Sequence, residues 1–404
     1  MRWVYDVMVK PILSYGATIW VNGTKTKHNQ QLLSGVQRLA NVIITGALPT
    51  TPGSALDVIN GSPPLHLWLA EEAAKGALRL KNLGHWLPPP AGRANMRLTS
   101  HITTIENTLR SIPECKLERD ETTPKLCIDQ QFEIEIPTRE SYHEKDYTEF
   151  GATCFTDGSK TSEGAEVHAV GQAATYLLEK EVKGQSILIN CDSQSAIRAI
   201  NSTIIRNHTI LETSRKLNAL GKSNTVLLRW IPAHQGHEGN ERADTLAKNG
   251  ANMSDNPTMV KLPIPRGVCY AALRRKTIAE WRRNFKISPP KVFSTMWRDR
   301  FSKELPKLGK RDLRTATQIL TGHACLNYHL SKINRDIAPT CSLCQEENET
   351  VEHVLAKCPK LWELRVEFFD SHFTTVRDIV DRHTLSHIVN FLHRTGQLKT
   401  LEAK

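Results

Sequence analysis

Hydrophobic and polar positions along the chain predict two kinds of architecture. Apolar residues recur at helical spacing over 28–46 and 66–84, and a loop rich in Thr and Pro at 50–53 separates the two runs. The stretch 151–252 instead alternates short strand patterns with helical patterns, which is typical of an α/β domain with parallel strands. The pattern therefore predicts a helical N-terminal part (1–88) followed by an α/β domain.

The α/β stretch contains strand patterns at 153–157, 186–192 and 225–234. The middle run is almost continuously apolar, as in a strand buried on both faces. Helical patterns lie between and after the strands, at 165–180, 193–201, 210–221 and 240–251. This order predicts strands joined by helical crossovers.

Two further stretches are distinguished by their charge. Residues 105–150 include 12 acidic and 6 basic residues with little periodicity, so we predict an acidic linker over 89–150. Residues 259–340 include 18 basic and 5 acidic residues with aromatic side chains between the cations, and we expect a basic helical region over 253–340. The remaining segment, 341–404, opens with a Cys/His cluster and ends in amphipathic helical patterns.

Composition narrows the class of protein. The 404 residues suggest two or three domains, and the net charge of +11 favours a polyanionic partner such as nucleic acid. No apolar window is long enough to cross a membrane, and Asp6 and Lys10 interrupt the apolar start where a signal peptide would need continuity. Nine cysteines, an odd number, argue against a disulfide framework. We expect an intracellular protein, in the nucleus or cytoplasm, without a membrane partner.

Four acidic residues in the α/β stretch are candidates for metal binding. Asp157 and Asp192 end strands, Asp244 lies in the first turns of the last helix, and Glu166 lies on the helix stripe that should face the sheet. Carboxyl ends of parallel strands meet at one edge of a sheet, where sites form. Asp157 and Asp192, each taken alone, also fit the role of a turn or capping residue. Together, four converging acids would need a cation, and two divalent ions ~4 Å apart would clamp a phosphodiester.

The loop before the last helix adds a titratable group. His234 precedes a segment containing Gly236 and Gly239, and could move into the carboxylate site. The alternative is a solvated loop histidine, and the residues alone leave both interpretations open.

These segments resemble a known family. The four segments are FTDGS (155–159), AEVHAV (165–170), NCDSQSAI (190–197) and RWIPAHQGHEGNERADTLA (229–247). They are similar to the signature segments of ribonuclease H type 1 domains, in the version carried by LINE-type (non-LTR, Jockey-like) retrotransposon polyproteins.

The resemblance implies a function for each matching residue. Asp157, Glu166, Asp192 and Asp244 match the family's Mg²⁺-binding carboxylates, and His234 matches its mobile-loop histidine, which assists proton transfer or product release. The implied reaction is Mg²⁺-dependent endonucleolytic hydrolysis of the RNA strand of an RNA–DNA hybrid, leaving a 3′-hydroxyl on the upstream RNA fragment.

The chain departs from the family between the first two carboxylates. Only eight residues, 158–165, separate Asp157 from Glu166, whereas two strands of ordinary length plus turns need ~30. We therefore expect an RNase H-like α/β domain lacking the second and third strands, with about three strands and with 153–157 as an exposed edge parallel to 186–191. Two hypotheses follow: a weakened but complete active site, or a decayed domain in a protein that binds nucleic acid without cleaving it. The short connection is either a genuine deletion or an artefact of the gene model.

The cluster CSLCQEENETVEHVLAKC at 341–358 predicts a zinc site. Its spacing, C-x2-C-x8-H-x4-C, suits a closed tetrahedral Zn²⁺ centre with a structural role, and the alternative is a coincidence of four residues. The predicted ligands are Cys341, Cys344, His353 and Cys358. Together with 321–333, the cluster resembles the zinc-knuckle-like region near the C-terminus of the same polyproteins, which is thought to help bind the element's RNA or target DNA.

Residues 1–88 resemble the thumb and connection downstream of the reverse transcriptase palm in these elements. We find no paired-Asp polymerase motif, so we expect an all-α remnant without polymerase chemistry. The predicted order is this remnant, the acidic linker, the RNase H-like domain at 151–252, the basic helical region and the zinc-binding module with its C-terminal helices.

Overall fold

The computed structural model describes most of the chain. The described residues are 2–86, 100–122, 126–143, 147–158, 163–233, 235–252, 262–287, 290–370 and 374–398. They form two compact units. The helical unit comprises Met1–Ala77, Pro88–Asn107 and Leu273–Lys404, and the sheet unit comprises Leu78–Leu87 and Thr108–Ala272.

The sheet unit contains four parallel strands. These are β1 (Glu133–Glu135), β2 (Ala152–Thr156), β3 (Ser186–Cys191) and β4 (Thr225–Trp230), in the order β1-β4-β3-β2. The register aligns Phe155 with Asn190, and Cys191 with Trp230. The ends of β2, β3 and β4 therefore lie at the same edge of the sheet, where the predicted carboxylates begin.

Helices connect these strands and follow them. They are Glu163–Glu179, Gln194–Ile200, His208–Gly221 and Glu238–Asn252, with short 3₁₀ turns at Pro113–Lys116 and Tyr147–Glu149. Each of the four helical patterns predicted for this stretch is confirmed to within a few residues. The chain enters Gln194–Ile200 through a cap, because the Ser193 hydroxyl accepts a hydrogen bond from the Ala196 N–H at 3.3 Å.

One face of the sheet carries the core of this unit. Ile187, Ile189 and Leu228 are fully buried, and helix residues Val170 and Leu217 pack into the same cluster. Helix Glu163–Glu179 therefore presents its apolar stripe to the core, as the spacing of its apolar residues predicts. This packing fixes the direction from which Glu166 approaches the sheet edge.

Strand β1 corrects the expectation of about three strands. It lies within the stretch predicted as linker, where Phe132, Ile134 and Ile136 contact the core and alternate with Glu133 and Glu135. The alternation of apolar and acidic residues is the pattern of a strand. It is obscured because two of the three strand residues are acidic and the surrounding segment has the composition of a solvated spacer.

Strand β2 is the edge strand opposite β1. It pairs with β3 in parallel, which confirms the expected pairing of these two strands. Within the described part of the chain nothing pairs with the outer side of β2 in this sheet. The short connection after β2 still brings the next helix back to the same end of the sheet.

The helical unit consists of helices around a separate core. Its α-helices are Arg2–Val4, Lys10–Ser14, Ala17–Trp20, Lys27–Thr45, Gly53–Ile59, Lys291–Met296, Phe301–Glu304, Lys310–Thr321, Asn327–Ile333, Trp362–Phe369, Val376–Arg382 and Leu385–Thr395. Turns of π-helix occupy Tyr5–Val9 and His353–Lys357, and 3₁₀ turns occupy Val21–Lys25, Leu305–Lys307 and Pro359–Leu361. Leu65–Asn82, His101–Arg110 and Arg266–Ile287 include residues of both units. The helices predicted at 28–46 and 66–84 are confirmed.

Aromatic residues are the largest fully buried side chains in the core of the helical unit. Phe293, Phe301 and Phe391 are fully buried, and Phe293 stacks on Trp297 with ring centroids 5.1 Å apart. Among the helices that the structure describes, none combines the length and the apolar character needed to span a membrane.

Candidate active site and candidate zinc centre

Three of the predicted carboxylates meet at the end of the parallel strands. Asp157 follows β2, Asp192 follows β3, and Glu166 lies in the first turns of helix Glu163–Glu179. One carboxylate oxygen from each lies within 4.8 Å of the others, and all three residues are partly buried. The short connection after β2 has therefore not separated these side chains.

Gly158 joins Asp157 to the Glu166 helix at close range. Its N–H donates a hydrogen bond of 2.9 Å to Glu166 Oε2. A Cβ at this position would lie 2.4 Å from the Glu166 nitrogen and 2.5 Å from the Ala165 carbonyl carbon. Only a glycine allows this approach, so the residue sets the position of the Glu166 carboxylate relative to β2.

Asp192 is held by two residues that the sequence analysis did not identify. Asn240 donates from Nδ2 to Asp192 Oδ2 at 3.2 Å, and Trp230 donates from Nε1 to the Asp192 carbonyl at 2.9 Å. Asn240 is buried, with 4% of its surface exposed. Both lie in the segment 229–247 singled out by its resemblance, which is the signal that could have identified them.

Asp244 approaches the cluster from helix Glu238–Asn252. Its carboxyl shares a hydrogen bond with that of Asp157 and forms an ion pair with Lys248, one turn along the same helix. The three oxygens that lie within 4.8 Å of one another belong to the other three acids, so Asp244 lies at the margin of the cluster. Lys248, also absent from the sequence analysis, places a cation beside the carboxylates.

Burial and mutual repulsion disfavour full ionisation of this cluster. Burial, followed by the charges of Asp192 and Asp244, raises the pKa of Asp157 to about 6, with Lys248 opposing the shift. Burial and the charges of Asp157 and Asp192 raise the pKa of Glu166 to about 7, although the hydrogen bond from the Gly158 N–H acts to lower it. A divalent cation would offset the repulsion that produces these shifts.

The donor set suits a hard divalent ion. Carboxylate oxygens are the ligands that Mg²⁺ takes in proteins, at ~2.1 Å, so two oxygens on one octahedral ion are about 3.0 Å apart when adjacent and about 4.2 Å apart when opposite. One oxygen from each of the three acids lies within 4.8 Å of the others. The donor type and the proximity of Asp157, Glu166 and Asp192 therefore fit Mg²⁺.

The predicted histidine, His234, lies outside the described residues. Its neighbour His237 is described, and His237 Nε2 lies within hydrogen-bonding distance, 3.0 Å, of the Tyr142 hydroxyl. The Tyr142 ring also contacts the Trp230 and His237 rings edge to face. The end of the histidine loop is thereby attached to a residue that precedes β2.

The four predicted zinc ligands also come together, in the helical unit. Cys344 Sγ lies 3.3 Å from His353 Nε2, and Cys341 Sγ lies 3.9 Å from Cys358 Sγ. Tetrahedral Zn²⁺, with Zn–S of ~2.3 Å and Zn–N of ~2.0 Å, separates two sulfurs by about 3.8 Å and a sulfur and a nitrogen by about 3.5 Å. The donor set and its spacing therefore fit Zn²⁺.

Side chains around this cluster orient its ligands. His353 Nδ1 lies 3.2 Å from Glu347 Oε2, which leaves Nε2 directed at the sulfurs. Arg365, from helix Trp362–Phe369, donates from Nη2 to the Cys358 carbonyl at 2.6 Å. Neither Glu347 nor Arg365 could be identified from the sequence, because spacing alone does not show contacts outside the ligand set.

Comparison with known proteins concerns the sheet unit. Residues 142–252 match the family described as RNase H. The segment includes β2, β3, β4 and the four carboxylates. The RNase H domain is thus supported by similarity over about a quarter of the chain.

Individual relatives agree with this match. The chain is 28% identical over 109 residues to a Ribonuclease H of Methylorubrum extorquens (strain PA1), covering 23% of this chain and 46% of that protein. It is 29% identical over 116 residues to a Ribonuclease H of Rhodopseudomonas palustris (strain BisB5), covering 24% and 75%, respectively. A Ribonuclease H of Rhodopseudomonas palustris (strain TIE-1) is 28% identical over 127 residues, covering 26% and 80%.

Proposed function

We propose that the RNase H domain of this chain hydrolyses the RNA strand of RNA–DNA hybrids in a Mg²⁺-dependent, endonucleolytic reaction. The observation that carries the proposal is the convergence of Asp157, Glu166 and Asp192 within 4.8 Å. A decayed domain that kept only its sequence motifs would have no reason to keep these oxygens together. The relatives named Ribonuclease H support the same reaction class.

The chain's own residues perform distinct tasks in this proposal. Asp157, Glu166 and Asp192 would hold Mg²⁺, with Asp244 beside them. Mg²⁺ bound there would supply Lewis-acid chemistry for phosphodiester hydrolysis. Gly158 aims the Glu166 carboxylate, while Asn240 fixes that of Asp192.

Proton transfer is assigned to His234, because segment 229–247 resembles the family's histidine loop. Gly236 has a φ of +80°, a conformation that favours glycine, so the loop turns sharply at this point.

A cleavage assay tests the catalytic proposal. Full-length protein is incubated with labelled RNA–DNA hybrid and Mg²⁺, and compared with Asp192→Asn and with Asp129→Asn, which changes an exposed aspartate of the same unit. We expect Asp192→Asn to lose cleavage and Asp129→Asn to retain it. Equal cleavage by all three proteins, or cleavage by none, contradicts the proposal.

A second candidate function is nucleic-acid binding without cleavage. The observation that favours it is the concentration of cations at 259–340, where Arg275, Arg282 and Arg283 are exposed on helix Arg266–Ile287. Phosphates are neutralised by such side chains. The test measures how the affinity of the Asp192→Asn protein for hybrid depends on salt concentration. A weaker salt dependence after Arg282→Gln and Arg283→Gln supports this function. An unchanged salt dependence contradicts it.

We also propose that Cys341, Cys344, His353 and Cys358 bind a structural Zn²⁺ ion. The distances among these four ligands support a closed tetrahedral site with no position left for water. We also propose that the chain is part of a retrotransposon polyprotein, because residues 1–88 and 321–358 resemble segments of such polyproteins. Metal analysis of the full chain, followed by unfolding in the presence of a chelator, tests the zinc site.

A further inference from the structure

Arg365 is a buried cation beside the cysteine–histidine cluster. Only 3% of its surface is exposed, although arginine is rarely buried without an acidic partner. Its Nη2 donates to the Cys358 carbonyl, while Nε and Nη1 are buried and have no hydrogen-bond partner within the described residues. An uncompensated charge in such a place costs several kcal/mol unless a negative charge lies nearby.

The Cys358 carbonyl that Arg365 contacts belongs to one of the four predicted zinc ligands. Bound Zn²⁺ would give this cluster a negative charge beside Arg365. Three thiolates and one neutral histidine around Zn²⁺ give the centre a net charge of −1. One buried guanidinium balances this charge.

We propose that Arg365 is the counter-ion of the zinc-loaded cluster, and that its charge stabilises the loaded form over the metal-free form. The proposal rests on the zinc site of the preceding section. Arg365 is a positioning residue, since its link to the cluster runs through the Cys358 backbone and its charge. Glu347 acts on a different ligand, because it fixes the ring of His353.

This role predicts opposite effects on the two forms of the protein. Without metal, Arg365 is buried, and its Nε and Nη1 have no hydrogen-bond partner among the described residues. Replacing it with a neutral side chain of similar length relieves the cost of the buried charge. With zinc bound, the same replacement leaves the −1 centre unbalanced. A residue needed only for packing would lower the stability of both forms.

The experiment compares three variants of the full chain. Arg365→Met removes the charge, Arg365→Gln removes the charge but keeps a donor for the Cys358 carbonyl, and Arg365→Lys keeps the charge. Zinc affinity is measured by competition with a chelator, and urea unfolding is followed with and without zinc. The absorption of the Co²⁺-substituted protein reports whether the ligand set is unchanged.

We expect Arg365→Met and Arg365→Gln to bind zinc ~10- to 100-fold more weakly, with unchanged Co²⁺ spectra and metal-free proteins at least as stable as the wild type. Arg365→Lys should remain close to the wild type. If both neutral variants bind zinc with wild-type affinity, or if their loaded and metal-free forms are destabilised equally, the counter-ion role is overturned. The zinc site itself is not overturned by either result. A wild-type chain that binds neither Zn²⁺ nor Co²⁺ overturns both this inference and the zinc site.

Discussion

The substitution Gly158→Ala tests the close junction between β2 and the Glu166 helix. The added Cβ would lie 2.4 Å from the Glu166 nitrogen and 2.5 Å from the Ala165 carbonyl carbon, about 1 Å closer than ordinary contact. Both atoms are backbone, so no side-chain rotation relieves the overlap. The strand end and the helix start must therefore move apart.

The cost of this movement has two parts. Overpacking of this kind costs ~1–3 kcal/mol. Displacement of Gly158 also weakens its 2.9 Å hydrogen bond to Glu166, and bonds to a charged group contribute ~1.5–3 kcal/mol. Together the loss should be roughly 2.5–6 kcal/mol for the sheet unit. A 1 Å shift of the Glu166 carboxylate should also lower hybrid cleavage by about 100-fold.

Urea unfolding and hybrid cleavage by the full chain measure these two effects. The matched control is Gly250→Ala, at an exposed position of helix Glu238–Asn252 where a Cβ meets open space. That substitution should stabilise the helix by about 0.5–1 kcal/mol. A Gly158→Ala protein with the wild-type unfolding midpoint and cleavage rate would refute the conclusion that the close approach of Gly158 positions the Glu166 carboxylate.

Three further predictions concern the helical unit. Burial raises the pKa of Asp57 to about 7, although Gln37 and Asn41 donate to it. Because the folded chain retains a proton that the unfolded chain releases, stability should fall as pH rises from about 4 to 7. Asp57→Asn should abolish this dependence, and its gain in stability over the wild type, measured by urea midpoints, should rise from about 2 kcal/mol near pH 5 to about 4 kcal/mol near pH 7. Thr375→Ala removes the cap of helix Val376–Arg382 and should cost about 1 kcal/mol in the same assay, whereas Thr375→Ser should cost less. Phe293→Ala leaves a cavity in the aromatic core and should cost ~3–5 kcal/mol, with Phe293→Leu intermediate; an unchanged midpoint would contradict the assigned packing.

Much of the sheet unit could be predicted from local patterns. The apolar run ending at Cys191 and the helical spacing of Val167, Val170 and Ala174 report burial directly, because one face of each element must leave water. β1 could not be identified in the same way, since its two glutamates dominate the composition of a short segment. Its pairing depends on β4, which is distant in sequence.

The candidate sites also contain residues that local sequence patterns identify and residues that they do not. Asp157, Glu166 and Asp192 could be proposed because each ends or begins an element at one sheet edge. Lys248 and Arg365 could not, because a cation on an amphipathic helix is ordinarily solvated. The Lys248–Asp244 pair lies within one helix, and only tertiary packing places it beside Asp157. The contact of Arg365 with the Cys358 carbonyl also depends on tertiary packing.

The all-parallel arrangement has a consequence for how the sheet unit folds. Among the described residues, each strand pairing in the sheet closes a long loop: roughly 35 residues for β2 with β3, roughly 40 for β3 with β4, and roughly 90 for β1 with β4. No hairpin in the described part of this sheet lowers the entropic cost of the first strand pairing. We therefore expect slow folding in which β1 docks last, and a chain whose unpaired strands remain exposed to other chains for longer than those of a sheet started by a hairpin.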